Sequence, residues 1–141
     1  QLKRIADEPR AQIVGHFDLL TKFDEKEHFF DETSLRYRAA ALDAMDALVS
    51  AGKIFEVNTG AISRGWRTTP YPSRWVLEQL KRRNAQVTIS SDSHGVGTVD
   101  CAFDRAKALL RKSGCLTERR LRHRKLNKQS PADSAVCRLR G

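Results

Sequence analysis

The stretch "TISSDSHGVG", residues 88–97, places a carboxylate and an imidazole at the end of an apolar segment. Asp92 and His94 are two residues apart, and on an extended segment such side chains point to the same side. Carboxylate oxygen and imidazole nitrogen together suit zinc, manganese or iron. The spacing allows a divalent metal site, but it equally allows Asp92 to cap the next helix and His94 to lie in a surface loop.

His16 presents the same choice at another predicted strand end. It follows the apolar pair Ile13–Val14, and Asp18 lies two residues further on. A carboxylate at that position could accept a hydrogen bond from the imidazole and fix its tautomer. A histidine after a strand is nevertheless more often an ordinary loop residue than a metal ligand, so His16 taken alone decides nothing.

Glu56 and Asn58 alternate along the apolar segment "FEVN" and therefore share one side of it. A carboxylate and an amide need polar partners if the strand is buried. Those partners could be a metal ion, a substrate or the ends of neighbouring strands. For Glu56 we favour a structural or supporting role over direct binding.

Arg64 and Arg67 lie in the long segment "AISRGWRTTPYP", residues 61–72, which predicts an irregular loop. The planar guanidinium matches phosphate oxygens, and loops at strand ends carry binding groups. The simple alternative is a pair of solvated loop arginines. The length of the loop within a compact domain favours a functional role.

The hydrophobic periodicity predicts an alternation of strands and helices. Strands are expected at residues 13–14, 53–60 and 85–90, and helices at 34–53, 73–84 and about 99–112. This order indicates a mostly parallel α/β fold, in which sites lie at the carboxyl ends of the strands. The polar residues described above should then meet at one rim.

Length and composition limit the class of protein. The chain has 141 residues, of which 40% are hydrophobic, so one ordinary domain is expected. A full α/β barrel typically needs about 250 residues. No segment approaches the roughly 20 apolar residues of a membrane helix, so we expect a soluble, cytoplasmic protein. The three cysteines lack the spacing of a disulfide framework or a cysteine zinc site.

The net charge of +9 is concentrated near the end of the chain. Residues 1–113 have a net charge of +3 and residues 114–141 a net charge of +6. The sequence predicts a domain at 1–113 and a basic, poorly ordered tail at 114–141. Nucleic-acid binding through this tail is an alternative function, which we rank low because 114–141 contains no aromatic residue for base stacking.

Three motifs taken together, "GHFD", "FEVNTGAISRGWRTTPYPS" and "VTISSDSH", extend this interpretation. In order and spacing, residues 11–113 resemble the C-terminal half of the PHP (polymerase and histidinol phosphatase) metallohydrolases, with the closest likeness to the histidinol-phosphatase branch. The resemblance implies the C-terminal part of a distorted (β/α)7 barrel of the TIM type. It also implies a centre of divalent metal ions, zinc, manganese or iron, at the carboxyl ends of the strands.

The resemblance also implies roles for individual residues. His16 matches the histidine ligand of the GH motif, and Asp92 and His94 match the closing Asp-x-His ligands. Arg64 matches the loop arginine that binds the substrate phosphate, and a metal-bound Asp92 could also accept a proton during catalysis. The implied reaction is phosphomonoester hydrolysis, with L-histidinol phosphate, an intermediate of histidine biosynthesis, as the substrate.

The chain departs from the family pattern at both ends. The family's opening His-x-His, its next histidine and its bridging glutamate belong to earlier strands, so we expect an N-terminally truncated fragment. The basic stretch 118–141 is unlike the family's ending and could be a divergent or frame-shifted end. A phosphoesterase for another small phosphate or a nucleotide, and an inactive fragment, therefore stay open as alternatives.

Overall fold

The computed structural model describes residues 2–29, 31–115 and 137–138, which form a mixed α/β fold. Its sheet has the order β1 (Ile13–Val14), β2 (Ile54–Asn58), β3 (Gln86–Ser90) and β4 (Cys137–Arg138). The first three strands are parallel, and β4 pairs antiparallel with β3. The predicted α/β class is confirmed. Three parallel strands neither establish nor exclude a closed barrel.

The described part of the chain contains five α-helices. They are α1 (Asp24–Glu27), α2 (Leu35–Ser50), α3 (Gly60–Ser63), α4 (Arg74–Arg82) and α5 (Phe103–Lys112), with 3-10 turns at Leu2–Ile5, Leu19–Phe23 and Val96–Thr98. Helices α2 and α4 both begin at a serine cap, because the Ser34 and Ser73 hydroxyls accept hydrogen bonds from backbone N–H groups three residues on.

Two predicted boundaries differ from the structure. The segment predicted to be an irregular loop, 61–72, contains most of α3, and Tyr71 forms an isolated antiparallel bridge with Asn58. The last helix begins at Phe103 rather than near Val99, because the chain first makes the 3-10 turn at Val96–Thr98. Both differences lie between strand ends and helices, on the rim where the candidate site is found.

The sheet has one apolar face and one polar face. Val14, Phe55 and Val87 are aligned across β1, β2 and β3, and each is at most 1% exposed. This row packs on the buried apolar side chains of α2, α4 and α5, which are Met45, Leu48, Val76, Leu77, Leu80, Ala106 and Leu110. Full burial of one such side chain stabilises the fold by about 1.5–3 kcal/mol, so this packing holds the strands in place.

The opposite face of the sheet presents alternate residues of the same strands. Glu56 is aligned with Thr88 and Asn58 with Ser90, one polar pair above the other. This face leads toward the carboxyl ends of the strands. The polar pair of Asn58 and Ser90 therefore lies at the rim where the strands end.

Of the predicted tail at 114–141, the structure describes Gly114, Cys115 and the two residues of β4. Cys115 is 3% exposed and belongs to the hydrophobic core, so the folded unit continues past residue 113. Residues 116–136 and 139–141 lie outside the described residues, and there the poorly ordered tail stays a prediction. Within the described part, no helix has the length and apolar character needed to cross a membrane.

Candidate functional site

The candidate site lies where the parallel strands end. His16 is two residues beyond β1, Arg64 six residues beyond β2, and Asp92 two residues beyond β3. Because parallel strands end at the same edge of a sheet, these residues from distant parts of the sequence meet on one rim. The structure thus brings together all four residues to which the sequence assigned metal or phosphate binding: His16, Arg64, Asp92 and His94.

The carboxylate of Asp92 is the centre of this group. Its Oδ2 lies 2.6 Å from Nη2 of Arg64 and 3.5 Å from Nε2 of His16. Its Oδ1 lies 3.7 Å from Nε2 of His94. Arg64 also donates from Nη1 to the backbone carbonyl of Asp92, at 3.0 Å. One residue therefore contacts an imidazole on each oxygen and a guanidinium at two points.

Two of these residues have an unusual backbone conformation. His16 and Asp92 have φ angles of 54° and 48°, in the left-handed region that few residues other than glycine adopt. Each is held there by a hydrogen bond to its N–H group. The Glu56 carboxylate accepts from His16 at 2.9 Å, and the Ser90 hydroxyl accepts from Asp92 at 3.2 Å. Glu56 thus has the supporting role that we favoured.

The charges around Asp92 keep it ionised. Burial acts to raise the pKa of this carboxyl, but hydrogen bonds from Arg64 and His16 and their nearby charge hold the pKa below its usual value. The side chain is 27% exposed, so it is open to a ligand from the rim. An ionised, partly exposed carboxylate is suited to bind a cation.

Arg64 is positioned by α3. The side-chain carbonyl of Asn58 accepts a hydrogen bond from the backbone N–H of Gly60 at 2.8 Å, which fixes the start of that helix, and Arg64 caps its end. The guanidinium lies against Gly60, which has no side chain. A Cβ at this position would be 2.6 Å from Nη2 of Arg64 and 2.8 Å from Cβ of Asp92. Only a glycine leaves room for this pair.

Arg67 lies apart from the site. It is 8% exposed, and its guanidinium donates to the backbone carbonyl and the hydroxyl of Thr21 and to Thr69. It also pairs with Glu25 at 3.4 Å. The alternative of a solvated Arg67 is wrong, because this arginine is a buried anchor of the loop rather than a surface residue.

The loop after α3 is fastened to the segment that follows β1. Glu25 accepts hydrogen bonds from the backbone N–H and hydroxyl groups of Thr68 and Thr69. The ammonium group of Lys22 lies 3.8 Å from the centre of the Trp66 ring. The segment around α1 therefore fixes the loop that carries Arg64.

Asp18 does not make the hydrogen bond to the His16 imidazole that the sequence allowed, because both of its oxygens face other groups. It is 2% exposed, and its Oδ1 accepts a hydrogen bond from the Tyr37 hydroxyl at 2.6 Å. Its Oδ2 faces the backbone N–H of Ser73 at 3.4 Å. Burial raises the pKa of this carboxyl, although the hydrogen bonds oppose that effect. Asp18 ties β1 to α2 and α4, away from the imidazole.

Three buried donor groups close to the site have no hydrogen-bond partner among the described residues. They are Nδ2 of Asn58, Nε of Arg64 and the hydroxyl of Tyr71. Burial raises the pKa of Tyr71 to about 12, and the charge of Asp92 adds to the effect, so this hydroxyl keeps its proton. Buried donors normally have partners. These three donors are therefore exceptions to the usual pairing in the described part of the chain.

The residues present fit a metal ion in part. Two ligands bound at about 2.1 Å in a tetrahedral arrangement lie about 3.4 Å apart, close to the 3.5 Å between His16 Nε2 and Asp92 Oδ2. His94 contacts the other oxygen, and its side chain is 78% exposed. Among the described residues, no group of three or more His, Cys, Asp or Glu side chains is arranged to hold an ion. His16 and Asp92 are thus spaced as two ligands of one metal ion would be, and the exposed imidazole of His94 lies beside the other carboxylate oxygen.

Sequence reasoning missed two contributors to this site. Gly60 matters for the space that it leaves, and Tyr71 for a buried hydroxyl brought to the site by its bridge to Asn58. The local signal for Gly60 was weak, since a glycine between a strand and a loop suggests only a turn. Nothing near Tyr71 in the sequence indicated its neighbours.

Comparison with known proteins adds an independent finding. The chain is similar to a protein of Schizosaccharomyces pombe (strain 972 / ATCC 24843) named probable histidinol-phosphatase. The two are 39% identical over 114 residues, which is 76% of this chain and 36% of that protein. The chain therefore spans about a third of the length of this curated relative. No protein-family model matches the chain.

Proposed function

We propose that this chain carries part of the active site of a metal-dependent phosphomonoester hydrolase whose substrate is L-histidinol phosphate. The main observation behind this proposal is that the imidazole of His16 and the guanidinium of Arg64 both contact the Asp92 carboxylate at one rim. The name of the S. pombe relative supports the reaction class and the substrate. The PHP barrel and the metal centre belong to the same proposal.

In this proposal His16 and Asp92 hold a divalent cation, and His94 joins them from the exposed side of the rim. The bound metal would supply a water of lowered pKa and polarise a phosphoryl oxygen. Arg64 binds the phosphate and stabilises the charge that develops on its oxygens. The unpartnered hydroxyl of Tyr71 would donate to water or to substrate beside them.

The geometry supports Asp92 as a ligand more strongly than as a proton acceptor. A general base works best when its pKa lies near the working pH. The pKa of Asp92 is instead held below its usual value by the positive groups around it. We keep Asp92 as the catalytic proton acceptor in the proposal. Its Oδ1 would accept the proton, because Oδ2 is hydrogen-bonded to Arg64.

Metal binding can be tested on the 141-residue chain itself. We expect His16→Ala and Asp92→Asn each to weaken Mn²⁺ binding at least tenfold in calorimetry, whereas His28→Ala, an exposed histidine outside the site, should leave it unchanged. Equal losses in all three variants, or none in the first two, would remove the metal site from the proposal.

The substrate can be tested by phosphate release in a full-length form of the protein. We expect turnover of L-histidinol phosphate to exceed that of a nucleoside monophosphate and to be abolished by EDTA. Preference for the nucleotide would instead support the alternative of a phosphoesterase for another substrate.

A further inference from the structure

Lys22 is a cationic residue on the same rim as Arg64. It belongs to the 3-10 turn Leu19–Phe23, which follows β1, and so it lies beyond a strand end as Arg64 does. Its ammonium group is 3.8 Å from the centre of the Trp66 ring, and the guanidinium carbon of Arg64 is 5.1 Å from the same centre. Because both distances share that end point, the two cationic groups are at most 8.9 Å apart, the sum of the two distances.

The Trp66 ring is a fixed support for these charges. The backbone N–H of Trp66 donates to the carbonyl of Ala61 at 2.9 Å. The ring also meets the Phe23 ring edge to face, with 5.4 Å between the two centres. A cation close to the face of an aromatic ring is attracted by the negative charge of that face. The long side chain of Lys22 is therefore already ordered, which lowers the entropy cost of using it to bind a ligand.

The loop around Trp66, residues 64–69, has more positive than negative charge beside it. In the described part of the chain, hydrogen bonds, ion pairs and ring contacts join it to five cationic side chains, two of them its own. These are Lys22, Lys26, Arg64, Arg67 and Arg105. The carboxylates joined to it in the same way are Glu25 and Asp92. An excess of positive charge on one surface draws anions toward it.

The charge of Lys22 is not neutralised by a neighbouring carboxylate among the described residues. The contacts of its ammonium group there are with the Phe23 and Trp66 rings, at 5.2 and 3.8 Å from their centres. Glu25, three residues further on, is bonded to the loop instead. An ammonium group has three donors, so it can give a hydrogen bond to an oxygen ligand while it stays at the ring.

A phosphomonoester needs more positive charge than Arg64 supplies. Its phosphate carries a charge of about −1.5 to −2 at neutral pH and has three terminal oxygens. The guanidinium of Arg64 donates to Asp92 at 2.6 and 3.0 Å, so a carboxylate already offsets its charge. A second cation on the same rim would help to balance the phosphate. Lysine is suited to this as a compact point charge with three donors.

Resting on the function proposed above, we propose that Lys22 is a second phosphate-binding residue of this rim and that Trp66 positions its ammonium group. Lys22 binds a terminal oxygen of the substrate phosphate from the side of Trp66, and Arg64 binds another from the side of Asp92. The two cations together favour a phosphomonoester, with two negative charges, over a phosphodiester, with one. The site is therefore selective for the charge of the phosphate group.

The test uses the 141-residue chain and two probes, inorganic phosphate and dimethyl phosphate, at about pH 8, where the first is mostly dianionic and the second has one charge. Calorimetry measures the binding of each probe to wild type, Lys22→Met, Lys22→Arg and Arg64→Ala. Lys3→Met is the control, because it removes the same charge from a lysine that pairs with Asp43 on α2. Circular dichroism and thermal unfolding show whether each variant is folded.

We expect Lys22→Met to bind inorganic phosphate about tenfold more weakly than wild type. This is the lower end of the range for a hydrogen bond to a charged group, because Lys22 is partly exposed. Lys22→Arg should keep most of the affinity, since it keeps the charge, and Lys3→Met should match wild type. The affinity of Lys22→Met for dimethyl phosphate should fall less than its affinity for inorganic phosphate. Equal affinity for inorganic phosphate in Lys22→Met and Lys3→Met overturns the inference.

The role of Trp66 is tested by a matched pair of variants. Trp66→Leu removes the ring and Trp66→Phe keeps one. Phosphate affinity should therefore fall severalfold in the first variant and largely recover in the second. Equal losses in the two variants overturn the positioning role of the ring.

Arg64→Ala separates failure of this inference from failure of the proposed function. A loss of phosphate binding in Arg64→Ala but not in Lys22→Met overturns the inference and leaves the proposed phosphate site standing. Unchanged binding in both variants, or no phosphate binding by wild type, overturns the phosphate site and the inference together.

Discussion

At the scale of single residues, the site depends on Gly60 having no side chain. A Cβ on Gly60 would lie 2.6 Å from Nη2 of Arg64, 2.8 Å from Cβ of Asp92 and 2.9 Å from its Oδ2. The arginine can bend away because its end is flexible. The Cβ of Asp92 is fixed to the backbone and cannot move without a change of the rim.

Gly60→Ala should therefore displace Asp92 and weaken both Mn²⁺ and phosphate binding, each by about tenfold or more, which is about 1.4 kcal/mol. The matched control is Gly97→Ala, because an added Cβ at this glycine of the same rim meets nothing within 4 Å. Calorimetry of both variants, with unfolding curves to separate binding from stability, makes the comparison. Similar losses in the two variants would show that Gly60 has no special role.

Arg64→Ala in a full-length form should lower kcat/KM for phosphate-ester hydrolysis by about ten- to a hundredfold. A charge-assisted hydrogen bond is worth roughly 1.5–3 kcal/mol, and each 1.4 kcal/mol is a factor of ten in rate. Arg74→Ala should have little effect. Steady-state kinetics with the metal content of each preparation measured would decide, and an unchanged kcat/KM in Arg64→Ala would contradict the assignment of the phosphate to this arginine.

The burial of Arg67 decides what an Arg67→Ala variant can show. The substitution removes bonds to Thr21 and Thr69 and leaves Glu25 without its arginine. We now expect a loss of stability of about 1–3 kcal/mol, as for a buried polar network that loses a member. Urea unfolding measures this loss, and kinetics of the variant are informative only where it is folded.

At the scale of elements, the loop that carries Arg64 is ordered by contacts with the segment around α1. Glu25 receives bonds from Thr68 and Thr69 and pairs with Arg67. Burial acts to raise the pKa of Glu25, but the hydrogen bonds from these threonines hold it below its usual value. The ionised form of Glu25 is therefore the one that the folded loop prefers.

Glu25→Gln should cost about 1–2 kcal/mol of folding stability at pH 7. A folded-state pKa below the unfolded value means that the contribution is present above about pH 4.5 and lost as the pH falls through the folded pKa. The difference from wild type should therefore shrink near pH 3. Urea unfolding at both pH values tests this, with Glu27→Gln, an exposed carboxylate on the same helix, as control. A difference that does not change with pH would contradict it.

The elements that could be predicted from the sequence are those with local signals. Helices α2 and α4 begin at serine caps and have apolar residues at the helical period, so their starts are encoded within a few residues. Helix α3 was missed because it has four residues, and the side chain that fixes its start, Asn58, belongs to the preceding strand.

The site could be predicted as a set of residues but not as a set of contacts. The strand ends and the motif resemblance brought His16, Arg64 and Asp92 to one rim. The bond between Arg64 and Asp92 spans 28 residues of sequence, and the bond between Arg67 and Thr21 spans 46. No local pattern distinguishes the two arginines. Which one reaches the rim is decided by tertiary packing.

At the scale of the whole molecule, the described sheet has an unpaired edge at β1. In the described part of the chain, β1 pairs with β2 alone, so the other edge of β1 has no strand beside it. Nearby apolar side chains are also open to solvent, with Ile13 50% exposed and Leu20 74% exposed. Unpaired strand edges and exposed apolar groups both favour association with another chain.

We therefore expect the 141-residue chain to self-associate as its concentration rises. The double variant Ile13→Lys and Leu20→Lys should remain monomeric at concentrations where wild type does not, because charge on an edge blocks pairing. Sedimentation velocity over a hundredfold range of concentration measures the effect. Val96→Lys is the control, since Val96 is 93% exposed but lies beyond β3 on the rim. A monomeric wild type at all concentrations would show that the edge is protected.

The left-handed backbone at His16 and Asp92 implies a conflict between folding and function at these two positions. A non-glycine residue in this conformation costs roughly 1–2 kcal/mol, somewhat less for histidine and aspartate. His16→Gly should therefore be more stable than His16→Ala by about 1 kcal/mol, although neither retains the imidazole. Selection for stability alone would favour glycine there. The protein instead has strained residues at both positions. The strain lowers stability, and the backbone conformation that causes it directs the two side chains toward each other.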